Sequence, residues 1–181
     1  MKLNAKQLRK GSALKRKLAK KLLKKKEIYI FLDNVLDTYN IGSVFRLADA
    51  VAAKKLYLCG GTEIPPNPRI KKASINTTEV VDWEYFENTI DAIKKLRSEV
   101  KDIQIIGVEQ VEGSIPYEQF AYKLPVAFIV GHESAGVSKE VLNLCNGVVE
   151  LPMFGVNVSL NVMVSLGIVL YEVLEKTSLK N

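Results

Sequence analysis

Short apolar runs of strand length alternate along this chain with segments of helical period, and that alternation leaves few architectures open. The run "IYIFL" at 28–32 is apolar throughout, as a strand covered on both faces should be. "NIGSVFRLADAVAA" at 40–53 then reads as a helix, and "KLYLC" at 55–59 as a second strand closed by Gly60 and Gly61. "NTIDAIKKLRSEV" sets Ile90, Ile93, Leu96 and Val100 along one helical side. "IQIIGVE" and "VAFIVG" are further strands, "SKEVLNLC" is a short helix with Ser138 as its expected cap, and "GVVEL" is the last clear strand before a final helix. Between 62 and 83 the chain holds three prolines and little periodicity, so a long functional loop is expected there. Strands alternating with helices imply an α/β fold with a mostly parallel sheet flanked by helices.

Charge divides the 181 residues unevenly. Residues 1–26 contain 12 Lys or Arg and no acid, leaving 14 bases against 20 acids in the remainder. We therefore divide the chain into a basic arm, 1–26, and a body, 27–181. Within the arm Leu14, Leu18 and Leu22 recur every four residues and Ser12 could start a helix. That pattern fits a solvated helix whose leucines dock on the body, and it also fits an RNA-binding arm. A calmodulin-target or membrane-surface helix competes with both. Cys59 and Cys145 make no CxxC pair, and with one histidine a zinc site is disfavoured, so no metal is expected. Two buried thiols suit a reducing cytoplasm. No apolar stretch is long enough for a membrane span, and the basic start lacks the apolar segment of a secretory signal.

Familiar nucleotide motifs are missing. No GxGxxG follows the first strand, "GHESAGVS" lacks the Lys-Ser/Thr pair of a phosphate loop, and it is not GxSxG either. His132 has no obvious triad partner and reads as a local contact rather than a base. Three clusters stand out instead. In "NVLDTYNIGSVFRLADA", Asn40 is a plausible helix cap, and Arg46 either snorkels or pairs with Asp49, or grips a phosphate. In "VAFIVGHESAG" a strand ends in Gly131, which would let a ligand approach the backbone, and Glu133 is either a loop charge or a site residue. In "LPMFGVNVSLNVMVSLGIVLY", Ser159 reads as the cap of the last helix. Asn161 and Ser165 there share a face, and Asn161 reads as a buried amide in need of partners.

Taken in order, "NxGxxxR", "VGxE" and "LPMxGxxxSLNV" resemble the three motifs of the SpoU/TrmH class of RNA 2′-O-methyltransferases in the SPOUT superfamily, over about residues 28–175. "GGTEIPPNPRIKKAS" is similar to the middle segment of that class, although "KKASINTTE" departs from its usual "KTALGAE" ending. His132 replaces the small or amide residue common at its motif position. The resemblance implies a deep C-terminal trefoil knot, S-adenosylmethionine as cofactor and a homodimer whose active sites use both chains. By motif match it implies cofactor contacts around Gly131, Leu151, Met153 and Leu160, and active-site roles for Asn40, Arg46, Glu133, Ser159 and Asn161. Glu133 is expected to order Arg46, Asn161 or nearby backbone. The apolar sides of the last helix would fill the core and the dimer seam. The RNA would be tRNA, with the basic arm in contact. The same reaction on rRNA, or a non-catalytic RNA-binding relative, are the alternatives.

Overall fold

Strand β1 (Lys26–Asp33) explains why its sequence is apolar without alternation. Side chains on a strand point alternately to opposite faces, and here both faces are cores. Ile28, Ile30 and Leu32 enter one cluster with Phe45, Leu166 and Val169. Tyr29 and Phe31 enter the other with Ile93, Leu96 and Val141. In this computed structural model, which describes residues 4–10 and 13–178, β1 is an interior strand, between β2 and β6, of a seven-stranded, all-parallel sheet.

The other strands are β2 (Ala53–Cys59), β3 (Trp83–Phe86), β4 (Gln104–Val108), β5 (Ile115–Pro116), β6 (Val126–Gly131) and β7 (Gly147–Glu150), in the order β3-β2-β1-β6-β4-β7-β5. Register pairs Asp33 of β1 with Cys59 of β2 and Gly131 of β6, so these strands end side by side. Helices α3 (Thr38–Ala50), α4 (Pro68–Ser74) and α7 (Val162–Ser178) cover one face, and α5 (Thr89–Glu99) with α6 (Lys139–Leu142) the other. The arm forms α1 (Ala5–Lys10) and α2 (Ala13–Leu22).

The 62–83 segment is not the expected loop. It holds α4, a 3-10 turn at Thr77–Glu79, and the start of edge strand β3. Asn67 caps α4, accepting from the Arg69 and Ile70 amides at 2.8 and 3.2 Å, with Pro68 at the first helical position. Asn followed by Pro is a start signal, but seven helical residues are too few to display a period among the prolines. β3 is anchored by Trp83, which meets Phe45 edge-on with ring centroids 6.4 Å apart. β5, two residues long, has no signature in the sequence.

Helix starts moved as well. α3 begins at Thr38, capped by Asp37, whose carboxylate accepts from the Tyr39 amide at 2.7 Å. Asn40 is therefore inside the first turn rather than its cap. Ser138 precedes α6 without a side-chain capping bond. The last helix begins at Val162, and the bond at its start is made by Asn161, which accepts from the Met163 amide at 2.9 Å, not by Ser159. Ser12, expected to cap the arm helix, lies outside the described residues, as does the side chain of Leu14. Leu18 and Leu22 are exposed rather than docked. Polar contacts hold the arm instead: Arg16 pairs with Glu79 at 2.7 Å, Lys20 and Lys25 both pair with Asp82, and Asn76 donates to the Leu8 carbonyl.

Gly42 sets the distance between α3 and α4. A Cβ there would stand 2.6 Å from the Ala73 Cβ and 2.8 Å from the Ile70 carbonyl oxygen. Backbone cannot yield as a flexible side chain would. Gly42→Val should cost about 1–3 kcal/mol, the usual range for overpacking. Denaturant unfolding checks this, and a variant as stable as the parent would mean the helices can part freely.

Candidate active site

Three segments far apart in sequence meet at the carboxyl end of the sheet. Glu133, two residues beyond β6, projects its carboxylate at the start of α3. It accepts from the Leu36 amide at 3.2 Å, the Asp37 amide at 3.0 Å and Asn40 Nδ2 at 3.0 Å. A negative charge at a helix start is also favoured by the unpaired amides and the helix dipole. Asn40 is buried, 6% exposed, and its Oδ1 accepts from Asn161 Nδ2 at 3.0 Å. Each amide's orientation follows from the next. A carboxylate only accepts, so Asn40 must turn its nitrogen to Glu133 and its oxygen to Asn161. Asn161 then has its oxygen free for the Met163 amide.

Burial alone would raise the Glu133 pKa, but the bonds from Asn40 and from the Asp37 and Leu36 amides hold it below the usual carboxylate value. Asn161 itself is exposed, contrary to expectation. The buried amide of the pair is Asn40. Ser165 donates back to the Asn161 carbonyl at 3.3 Å, so these two residues do share one side of the helix start.

Next to this network is a cavity of about 530 Å³, within the usual range of small-molecule sites. The ends of β4, β6 and β7 form its floor, and the segment 151–162 wraps its side. Gly131, Leu151, Met153 and Leu160 all line it, as do Glu133, Ser159 and Asn161. Asn40 touches it only through its two partners. Arg46 is not in the lining: it stands exposed on α3 and pairs with neither Asp49 nor Glu133. Glu133 thus orders backbone and Asn40, and reaches Asn161 through Asn40.

The loop after β6 is tightly built. His132 and Gly136 exchange backbone bonds of 3.1 and 2.8 Å, and His132 Nδ1 accepts from the Ser134 and Ala135 amides at 3.0 and 3.2 Å. His132 is thus a local turn contact. The side of Gly131 where a Cβ would project is filled by the Gly136 and Val137 backbone, so protein rather than ligand claims that space. Gly136, at φ +68°, packs in turn against the Glu109 carboxylate. Glu109 accepts from the Val137 amide at 2.9 Å and the Gln110 amide at 3.0 Å while lining the cavity. Sequence reasoning passed over Glu109, although an acid ending the strand "IIGVE" was a visible signal.

Chemically, the lining carries three carboxylates, Glu109, Glu133 and Glu150, and no Lys or Arg. Such a cavity disfavours phosphates and favours a ligand bearing positive charge. Among the described residues no cluster of His, Cys, Asp and Glu suits a metal ion. Both thiols are free, and burial pushes Cys59 up to about 12 and Cys145 up to about 11, which keeps them protonated near neutrality.

Residues 27–171 match the model of the SpoU rRNA Methylase family. The chain belongs to that family. Its similarity to the SpoU members extends to named enzymes. It is 31% identical over 153 residues to a tRNA (guanosine(18)-2′-O)-methyltransferase of Aquifex aeolicus, covering 82% of this chain and 69% of the relative. It is 26% identical to a 23S rRNA (guanosine-2′-O-)-methyltransferase of Ralstonia nicotianae, covering 83% of this chain and 59% of the relative. The crystal structure of the A. aeolicus TrmH/SpoU tRNA modifying enzyme superposes with TM-score 0.80 at 27% identity, over 92% of this chain and 84% of that one. An AdoMet-bound rRNA methyltransferase from Sinorhizobium meliloti superposes with TM-score 0.76 at 28% identity, over 84% and 57%. The chain thus spans little more than half the length of several SpoU relatives.

Because the folded-state pKa of Glu133 is lowered, the stability it contributes is full above the ordinary carboxylate range and disappears as pH falls through the lowered value. Glu133→Gln should therefore depress Tm most at neutral pH, with the gap to the parent closing in acid. A gap independent of pH, measured by thermal melts across that range, would remove the charged network from the account.

Proposed function

We propose that this chain transfers a methyl group from S-adenosylmethionine to a ribose 2′-hydroxyl of RNA, with tRNA as the substrate. The observation that carries the reading is the cavity with three carboxylates and no cation, placed beside the Glu133–Asn40–Asn161 network. The cofactor would supply a methyl on a positively charged sulfonium, from which a neutral thioether is a good leaving group. The transfer would form an O–C bond and break the C–S bond, the bonding pair leaving with sulfur as a neutral thioether and the hydroxyl proton passing to solvent. Gly131, Leu151, Met153 and Leu160 would hold the cofactor against the strand ends. Asn40 and Glu133 keep Asn161 in place at the start of α7, with Ser159 on the same wall.

Arg46 is the remaining member. A guanidinium stays charged, so its role is to hold a phosphate and the ribose and to stabilise negative charge growing on the 2′-oxygen. Its exposed, unpaired position in one chain agrees with an active site completed by a second copy. Support for a homodimer comes from Val164, Ile168 and Tyr171, an exposed apolar stripe along α7, together with Phe154, Val156 and Val158 on the preceding loop. The knot finds support in the sheet order: β7 is inserted between β4 and β5, both earlier in the chain. The basic arm fits an RNA contact. No helix among the described residues is long and apolar enough to cross a membrane, and the free thiols agree with a cytoplasmic enzyme. The choice of tRNA leans on the Aquifex aeolicus relative.

Incubating the protein with total RNA and methyl-labelled S-adenosylmethionine, followed by size separation and nucleoside mapping, should place 2′-O-methyl label in tRNA. Label in 23S rRNA would redirect the substrate, and failure to bind the cofactor would leave a non-catalytic relative. Arg46→Lys and Arg46→Ala should each lose over ~100-fold in single-turnover rate, the scale of a lost transition-state contact. Near-normal rates in both would sink that assignment. Sedimentation should show a dimer for the parent and a monomer for Ile168→Glu.

A further inference from the structure

Three cations of the arm and the three of α4 are placed in opposite circumstances. In the arm, Arg16, Lys20 and Lys25 are tied to body acids Glu79 and Asp82. On α4, Arg69, Lys71 and Lys72 are exposed, and among the described residues their side chains enter no ion pair or hydrogen bond. The helix "PRIKKAS" has no acid of its own. Nearby acids are engaged: Glu63 accepts from Asn67 at 3.4 Å, and Glu79 is held by Arg16. A solvated helix face explains Lys71 and Lys72, which also suit the negative end of the helix dipole. It does not explain Arg69, a cation in the first turn, where the dipole disfavours positive charge.

Position adds to charge. α4 is pressed on α3 where Gly42 meets Ala73 and Ile70. Arg46 follows Gly42 by one helical turn, so it stands beside that contact. Just past α4, Asn76, Glu79 and Asp82 anchor the arm. The arm is thus anchored just past α4, and α4 packs on the helix that carries Arg46.

We propose that α4 is a phosphate-binding element of the RNA site, with Arg69, Lys71 and Lys72 gripping the backbone next to the ribose that Arg46 engages. The inference rests on the RNA-methyltransferase reading and deepens it. The helix presents its three cations within about 10 Å, close enough to act on one stretch of strand. The arm, already docked by its own ion pairs, extends the same surface outward.

The test uses the full chain, an unmodified tRNA transcript and a series of KCl concentrations. Each phosphate contact contributes about 0.7–0.9 to the slope of log K against log salt. The combined variant Arg69→Gln, Lys71→Gln, Lys72→Gln should flatten that slope by about 2, with smaller decreases for each single change. Its Tm and its affinity for S-adenosylmethionine should stay at parental values, since all three side chains are exposed and outside the cavity. A parent that binds and methylates RNA while the triple variant keeps the full slope would overturn this inference alone. A parent that binds no RNA would overturn it together with the function it rests on.

Discussion

A single carboxylate ties the site to the fold. Glu133 reaches across 93 residues to Asn40, and Asn40 across another 121 to Asn161. Without that relay three elements with no sequence proximity would meet only through apolar packing, which fixes distance but not the orientation of an amide. The relay is directional. A carboxylate accepts only, so the donor and acceptor ends of both amides are settled in turn, and the last acceptor closes the first turn of α7. The helix that carries much of one core thus starts where the polar network stops, and its Leu166, Val169, Leu170 and Val173 are completely buried. Burial of each contributes about 1.5–3 kcal/mol.

The cavity depends on the same arrangement at one remove. Parallel strands ending in register expose amides and carbonyls at their carboxyl ends, the place where open α/β sheets receive ligands. Here β4, β6 and β7 end together, and each contributes a carboxylate at or just past its end: Glu109, Glu133 and Glu150. Glycines at 131 and 136 let the turn after β6 fold back onto itself and onto Glu109. The result is a small-molecule cavity of one sign of charge, with the opposite sign, Arg46 and α4, on the outer surface. A positively charged donor within and a polyanion outside is the division that this surface favours.

Much of this was legible from residue order. The strand–helix alternation, the buried interior strand and the amphipathic α5 follow from periodicity, which depends only on local geometry. Motif resemblance picked out Glu133, Ser159, Asn161 and four cavity-lining positions, and all of these meet at one cavity. Helix starts were less legible. Asn40 and Ser159 have the right chemistry for caps, as do Asp37 and Asn161 beside them, and only the packed backbone decides among such neighbours. α4, β3 and β5 escaped because each is too short for a period to emerge. Arg46 shows the opposite limit: its motif is plain, but within one chain it does not line the cavity.

Sequence by itself determined the class of architecture, the split between a basic arm and an acidic body, and the family, since these rest on composition, local period and motif order. Tertiary structure alone decided which amide is buried, which cations are neutralised, and which acids share a cavity. Those outcomes depend on contacts between residues separated by 28 to 121 positions, and no local rule carries information over that distance. Asn40 is a cap candidate in the sequence and a buried relay in the fold because Glu133 and Asn161 arrive from elsewhere to claim both ends of its side chain.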